Sequence, residues 1–173
     1  MIVMKHLYFM RHGISEMNQR GLFSGRSDTP LTKEGIDQCK KAAADLEGVV
    51  VDLIVSSPMK RTYDSARVIA DEIGYPENKI ILSDLFMERE LGELEGTDYR
   101  KGLNLKKYEG VEQNENLLAR AKIGLEYLNG LDADTIVLVS HSAIGRALKS
   151  VIDPKQKLHR VSSFKNAELV KLI

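Results

Sequence analysis

Arg11, His12 and Gly13 stand directly behind the apolar run HLYFM. Two basic side chains beside a glycine make a place where an anion can approach the backbone closely. Three other segments carry chemistry of matching kind. SSPMKR brings Ser57 and Arg61, MERELGELEG brings Glu88, and TIVLVSHS brings His141 and Ser142. Guanidinium groups offer planar, forked donors to an oxyanion. A neutral imidazole is a nucleophile near pH 7, and a carboxyl group can give and take a proton. Such a set could hold a phosphate-like anion and also transfer it. Each piece has a plainer reading as well. RHG could be a solvated turn, and Arg61 an exposed charge in the first turns of a helix. His141 could be a core histidine bonded to backbone, Ser142 a cap for a helix beginning at Ala143, and Glu88 one acid of a solvated run with Glu90, Glu93 and Glu95.

The elements around these segments bring them to one edge. HLYFM (His6 to Met10), Val49 to Ser57, Lys79 to Asp84 and Thr135 to Ser140 read as buried strands. LTKEGIDQCKKAAADLEG reads as a helix capped by Thr32, with Ile36, Cys39, Ala43 and Leu46 as its apolar stripe. A second helix starts at Ser57 as cap and Pro58 in the first turn, and stops at Gly74. Glu112 to Asn129 and SAIGRALKSVI give two more. Ile14 to Thr29 is a long loop. Leu85 to Glu109 has weak periodicity and reads as loop and short helix, forming a small lid around residues 85–110. Ala167 to Ile173 is a last strand, antiparallel at an edge. Strands alternating with helices predict an α/β fold, a three-layer α/β/α sandwich with a mostly parallel central sheet, in a single domain over residues 1–173. Ligands of such sheets bind beyond the carboxyl ends of the strands. All four chemical segments fall at those ends.

The totals restrict the partner. Lysine plus arginine and aspartate plus glutamate number 25 each, so the net charge is zero. This argues against nucleic acid and anionic membranes, and an anion site must be a local gathering of basic groups. Cys39, the single cysteine, falls on a helix's apolar face and reads as a small buried hydrophobe. Without an internal disulfide, the chain suits a cytoplasmic setting. The start MIVMKHLYFM is interrupted by Lys5 and His6 and reads as the first strand, not as a membrane span or secretory leader.

In order along the chain, RHG, SSPMKRTYDSA, ERELGELEG and SH resemble the histidine phosphatase superfamily, which includes cofactor-dependent phosphoglycerate mutases and small phosphatases. The resemblance runs from Tyr8 to about Leu148, and RHGISEMNQRGLFSGRSDTPLTKEG is similar to the family's long first loop. It implies phosphoryl transfer through a phosphohistidine at His12. Arg11, Arg61 and His141 would complete the phosphate pocket, with His141 best protonated. Glu88, four residues before Gly92, would be the general acid. Asn18, Ser24 and Gly25 would be secondary substrate contacts. No metal or other cofactor is implied: there is no HExxH-type spacing, and two arginines would repel a cation.

The sequence departs from the mutase pattern at several points. Ser142 replaces the usual glycine, where its hydroxyl could touch the phosphate or cap the helix. Ala143 stands where mutases carry asparagine, and Tyr99 where they carry lysine. There is no adjacent arginine pair, so a distal phosphate or carboxylate should be poorly held, and the lid should be small and open. These points favour hydrolysis of a small phosphorylated metabolite. Mutase activity, dephosphorylation of protein phosphohistidine, and a non-catalytic phosphate-binding domain are the alternatives.

Overall fold

Apolar residues follow one another along the central strands, so that successive side chains enter two cores in turn. In a computed structural model describing residues 4–173, five strands form one sheet in the order β3-β2-β4-β1-β5. They are β1 (His6–Arg11), β2 (Leu53–Ser56), β3 (Ile81–Leu82), β4 (Thr135–Ser140) and β5 (Leu169–Lys171). Met1 to Val3, the first residues of the apolar start, lie outside the described residues. The first four strands run parallel, and β5 is antiparallel to β1 at the edge. Leu7, Phe9, Val55, Ile136 and Leu138 face one core, while Met10, Ile54, Val137 and Val139 face the other.

A short helix α1 (Glu16–Gln19) lies in the first loop. Helices α2 (Lys33–Ala43) and α3 (Lys60–Ile73) cover one face of the sheet, and α4 (Asn114–Asn129) and α5 (Ser142–Ile152) cover the other. The result is the three-layer sandwich. Thr32 caps α2 as expected, its hydroxyl accepting the Gly35 N–H at 3.0 Å. Cys39, Ala43 and Leu46 are buried there, but Ile36 lies at the exposed rim. Gly74 ends α3 in the left-handed conformation, φ 71°. Among the described residues, no helix is long and apolar enough to cross a membrane.

Several boundaries differ from the sequence reading, each for a local reason. The run from Val49 becomes strand only at Leu53, because Asp52 interrupts it. Its carboxylate accepts the N–H groups of Asp134 and Thr135, and Val50 is left 79 % exposed. At the sheet edge, β3 shrinks to two residues. Helix α3 starts at Lys60 with Met59 as N-cap, so Ser57 is not its cap. Helix α5 includes Ser142, and its N-cap is His141 in extended conformation, so Ser142 is not the cap either. Residues 84–111 fold as four short 3-10 turns around their own cluster of Leu91, Leu94 and Val111, joined by Phe23 from the first loop.

Gly13 has a role other than the one its position behind β1 suggests. A Cβ there would collide with the carbonyl oxygen of Gly35, and a Cβ on Gly35 would collide with that of Ile14. The two glycines let the start of α2 press against the chain leaving β1. This close packing fixes the residue between, His12.

Candidate active site

Sheet register brings the two histidines together. Arg11 pairs with Ser140 across β1 and β4, so the next residues, His12 and His141, emerge side by side. Their rings meet edge-on with centroids 5.3 Å apart. The helices that follow these adjacent strands, α2 and α5, go to opposite faces of the sheet, which opens a crevice at the strand ends.

His12 is only 3 % exposed. Its Nδ1 lies 2.7 Å from the Gly13 carbonyl oxygen, and its Nε2 receives Arg61 Nε–H at 3.3 Å. A carbonyl can only accept, so Nδ1 carries the proton and Nε2 the lone pair. Burial pushes the imidazole's pKa well below the usual 6.5, and Arg61 and Arg11 push it further. These causes favour the neutral imidazole, with the lone pair of Nε2 held in one place. Backbone support comes from Gly13 N–H, bonded to Ser65 Oγ, and from Ala167 N–H, which reaches the carbonyls of both Arg11 and His12 at 3.0 Å. Ala167 adopts φ 52° to do so, a strained conformation for a non-glycine residue.

His141 is fully buried, and its Nε2 lies 2.9 Å from Ser57 Oγ. Its pKa is also lowered well below the usual value, by burial first and then by Arg61, His12 and Arg11. Burial and these cationic neighbours therefore favour the neutral form of His141, whereas the family resemblance implies the protonated form as the better donor. Its Nδ1 has no partner among the described residues.

The arginines are anchored differently from the expectation of two open forks. Arg61 is 1 % exposed, and its Nη1 and Nη2 donate to the carbonyls of Ser27 (2.9 Å) and Gly25 (2.6 Å). Only its Nε addresses His12. Burial lowers its pKa to about 10, so it remains charged. The electrostatic conflict of a cation in the first turn of a helix is met by Asp28, whose carboxylate accepts the Lys60 N–H at 2.9 Å. Arg11 donates through Nη1 to the Phe164 carbonyl at 2.6 Å, leaving Nε without a partner. Glu88 lies over the N-terminus of α5, its oxygens 3.2 and 3.4 Å from the Ala143 nitrogen.

A cavity of about 540 Å3 opens over these groups. Arg11, His12, Asn18, Ser24, Gly25, Arg61, Glu88 and Ser142 all line it, while His141 is buried outside its wall. Asn18 also completes the Ser15 capping box of α1, and Ser24 keeps a buried hydroxyl without a partner. Four polar lining residues escaped the sequence reading: Arg89, Arg146, Ser163 and Asn166. Arg89 was hidden within an acidic run. Arg146 shares a helix face with Ser142 and Ala143 by its spacing of four and three, a signal that could have found it. Asn166 donates to the His12 carbonyl and to Asn18 Oδ1 from a segment without periodicity, and nothing in the sequence announces it. Arg89 and Arg146, far apart in sequence, both line the cavity wall.

Among the described residues, the buried side-chain nitrogen and oxygen atoms without partners are Arg11 Nε, Ser24 Oγ, Arg89 Nε and His141 Nδ1. Three belong to the cavity wall, and the fourth to the ring beside His12. Unpaired buried polar groups are costly, and three of these four belong to residues that line the space a ligand would fill.

The histidine phosphatase superfamily (branch 1) model matches residues 7–173. A Schizosaccharomyces pombe protein named "Probable phosphatase" is 36% identical over 149 residues, covering 76% of this chain and 51% of that protein. The chain spans about half the length of the curated relatives it matches first. Among solved structures, a phosphoglycerate mutase from Bacillus anthracis superposes with a TM-score of 0.85 at 18% identity, covering 98% of this chain and 88% of that one. A mycobacterial glucosyl-3-phosphoglycerate phosphatase in complex with VO3 gives 0.83 at 22% identity, covering 96% and 92%. At these identities the structural matches establish the fold.

Proposed function

The chain belongs to the histidine phosphatase superfamily (branch 1), and we propose that it hydrolyses a small phosphate monoester through a phosphohistidine at His12. The observation that carries this reading is the state of His12: neutral, pinned at Nδ1 by a carbonyl, with the lone pair of Nε2 beside a cavity rimmed by unpartnered donors. Phosphatase-named relatives favour the same reaction class.

In this scheme Nε2 attacks phosphorus in line, forming the N–P bond as the ester P–O bond breaks. Arg61 Nε–H, which donates to His12 Nε2 in the free site, turns to a phosphoryl oxygen as the ester enters and so frees that lone pair, and Arg11 Nε donates to the same oxygens. The Ser57 hydroxyl donates to His141 Nε2, which leaves Nδ1–H as a neutral donor to the same oxygens. Glu88, in its acid form, protonates the leaving oxygen. As carboxylate it then takes a proton from the water that breaks the N–P bond and releases inorganic phosphate. No metal enters the scheme. Among the described residues, no three His, Cys, Asp or Glu side chains gather as a ligand set, and the paired guanidinium groups oppose a cation there.

The test is turnover of p-nitrophenyl phosphate in EDTA. Wild type should turn over, and His12→Ala should lose about 10⁴-fold or more in kcat. Wild type quenched during turnover should also carry an acid-labile, base-stable phosphate that the variant lacks. Normal turnover by His12→Ala would sink the nucleophile, and loss of activity in EDTA would sink the metal-free scheme.

A further inference from the structure

One short stretch before β5 reaches three residues of the site. The Phe164 carbonyl accepts Arg11 Nη1 at 2.6 Å, and the Ala167 N–H meets the carbonyls of Arg11 and His12 at 3.0 Å. Between them, Asn166 Nδ2 lies 3.2 Å from the His12 carbonyl oxygen and 3.1 Å from Asn18 Oδ1. Ala167 keeps its positive φ in this turn. Strain of that kind persists only where the surroundings over-determine it, and it gathers at functional sites. The scheme above uses Arg11 and His12 but gives no task to Asn166, although this side chain lines the cavity.

The hydrogen bonds fix two amides, one after the other. The oxygen and nitrogen of an amide are told apart by their partners. A backbone carbonyl can only accept, so the atom of Asn166 that faces His12 is its nitrogen. That nitrogen has a second hydrogen for Asn18, so the Asn18 atom opposite is its oxygen. The Ser15 N–H meets the same Asn18 atom at 3.2 Å and requires the same answer. Asn18 thus has its acceptor occupied twice. Its Nδ2 keeps both hydrogens, with no acceptor among the described residues, and Asn18 lines the cavity. Turned over, the amide would oppose donors with a donor and present its oxygen to an anion.

We infer that Asn166 is a positioning residue, which holds the Asn18 amide with Nδ2 as a donor to the phosphate bound at His12. Asn166 itself touches no reacting atom. The Ala167 N–H still serves the His12 carbonyl when Asn166 is replaced. The loss therefore falls on Asn18, whose amide is then held by the single bond from Ser15. This rests on the phosphatase reading for what occupies the cavity, but inorganic phosphate reads the amide without any turnover.

The experiment titrates inorganic phosphate into wild type, Asn18→Ala, Asn166→Leu and the double variant, with affinities from calorimetry. In isotope-labelled wild type, the side-chain amide signal of Asn18, identified by its absence in Asn18→Ala, should move as phosphate saturates the site. Asn18→Ala should weaken phosphate about tenfold, the cost of one donor to an anion, and Asn166→Leu about threefold or more. In the Asn18→Ala background, Asn166→Leu should cost less than about twofold. A general loosening of the fold would instead lower affinity in both backgrounds alike. An Asn18 signal that stays in place, wild-type affinity in Asn18→Ala, a smaller loss in Asn166→Leu, or a loss of about twofold or more in the double variant each overturns the inference. Wild type that binds no phosphate overturns it as well. If Asn166→Leu does not fold, Asn166→Ala takes its place under the same criteria. Turnover of p-nitrophenyl phosphate judges the phosphatase reading separately. Its absence beside the expected coupling defeats the reaction and leaves the role of Asn166 standing.

Discussion

The site has a floor and a roof, and they are held by different means. The floor is His12, His141, Ser57 and Arg61. All four are buried at the ends of parallel strands or in the first turn of α3. Hydrogen-bonded register between β1, β4 and β2 sets their spacing, so moving one would require sliding a strand. The roof is residues 84–111, four 3-10 turns around a small cluster of three buried apolar side chains. It carries Glu88 and Arg89, both half-exposed, and it is tied down by side chains more than by a ladder. The groups that must stay fixed, the proposed nucleophile and its donors, are on the rigid half. The groups that would meet a changing leaving group are on the half with room to adjust.

Among charge-conserving changes, the largest effect should come from breaking the floor. In Arg61→Lys the ammonium can hold one of the Gly25 and Ser27 carbonyls but cannot hold both and also address His12. Turnover of p-nitrophenyl phosphate should fall by about 10²–10³-fold, the usual cost of a transition-state donor. Glu88→Gln in the roof supplies the comparison: its loss should shrink as the leaving group becomes more acidic, while the Arg61→Lys loss should not. Equal dependence of the two on leaving-group pKa would erase the distinction between floor and roof.

The same division explains what the sequence made legible. Strand runs such as TIVLVS are apolar on every residue because both faces are covered. Their ends are therefore readable, and with them Arg11, His12 and His141. Asp52 could be seen to interrupt its run, but its use in ending β2 depends on two N–H groups on a distant strand. Ser57 and Ser142 have the residue type of helix caps. Ser57 is instead drawn to His141, and Ser142 lies inside the first turn of α5. In the roof, 3-10 turns follow neither the helical nor the strand period. Arg89 and Glu95 therefore could not be told from solvated charges, although Glu88 was reachable through family resemblance. The downward pKa shift of His141 was not readable either, since it comes from complete burial and from Arg61, His12, Arg11 and Arg120, gathered by the fold.

Acid should separate the halves by where they fail. His12 and His141 both have folded-state pKa values well below the ordinary histidine value of about 6.5. Below that pH the unfolded chain takes up protons that the folded chain refuses. Stability therefore falls as pH drops through about 6.5, and keeps falling until the folded-state values are reached, with a slope of up to about 1.4 kcal/mol per pH unit for each histidine. Just past the roof, burial alone would raise the pKa of Glu112, but its bonds from Arg120 outweigh this and hold it below the usual glutamate value. Its contribution is intact above that value and is lost only in a more acidic window. Urea titrations of wild type and His141→Gln at a series of pH values check this. The variant's stability should decline less steeply just below pH 6.5, by about one proton's slope. Parallel curves there would show that His141 takes up its proton in the folded state.

The smallest predicted effect lies where roof meets floor, at Glu95. Its Oε1 accepts the Arg26 N–H at 2.8 Å and its Oε2 accepts the Ser27 hydroxyl at 2.6 Å. Those residues flank the carbonyls that clamp Arg61, so Glu95 holds the loop, the loop holds the guanidinium, and the guanidinium faces His12. Glu95 touches no reacting atom and acts as a positioning residue. In Glu95→Gln one acceptor becomes an amide donor opposed to a donor, and the charge that favours both bonds is lost. Turnover should fall about tenfold, in kcat more than in KM, because alignment of the transition-state donor is what suffers. A fall of that size could also come from a loosened roof, so the decisive measurement is a double-mutant cycle. If Glu95 acts through the fork of Arg61, then Glu95→Gln in the Arg61→Lys background should cost less than about twofold, since the geometry it preserves is already gone. If the two losses simply multiply, Glu95 serves the roof alone, and the floor needs no help from above to keep Arg61 aimed at His12.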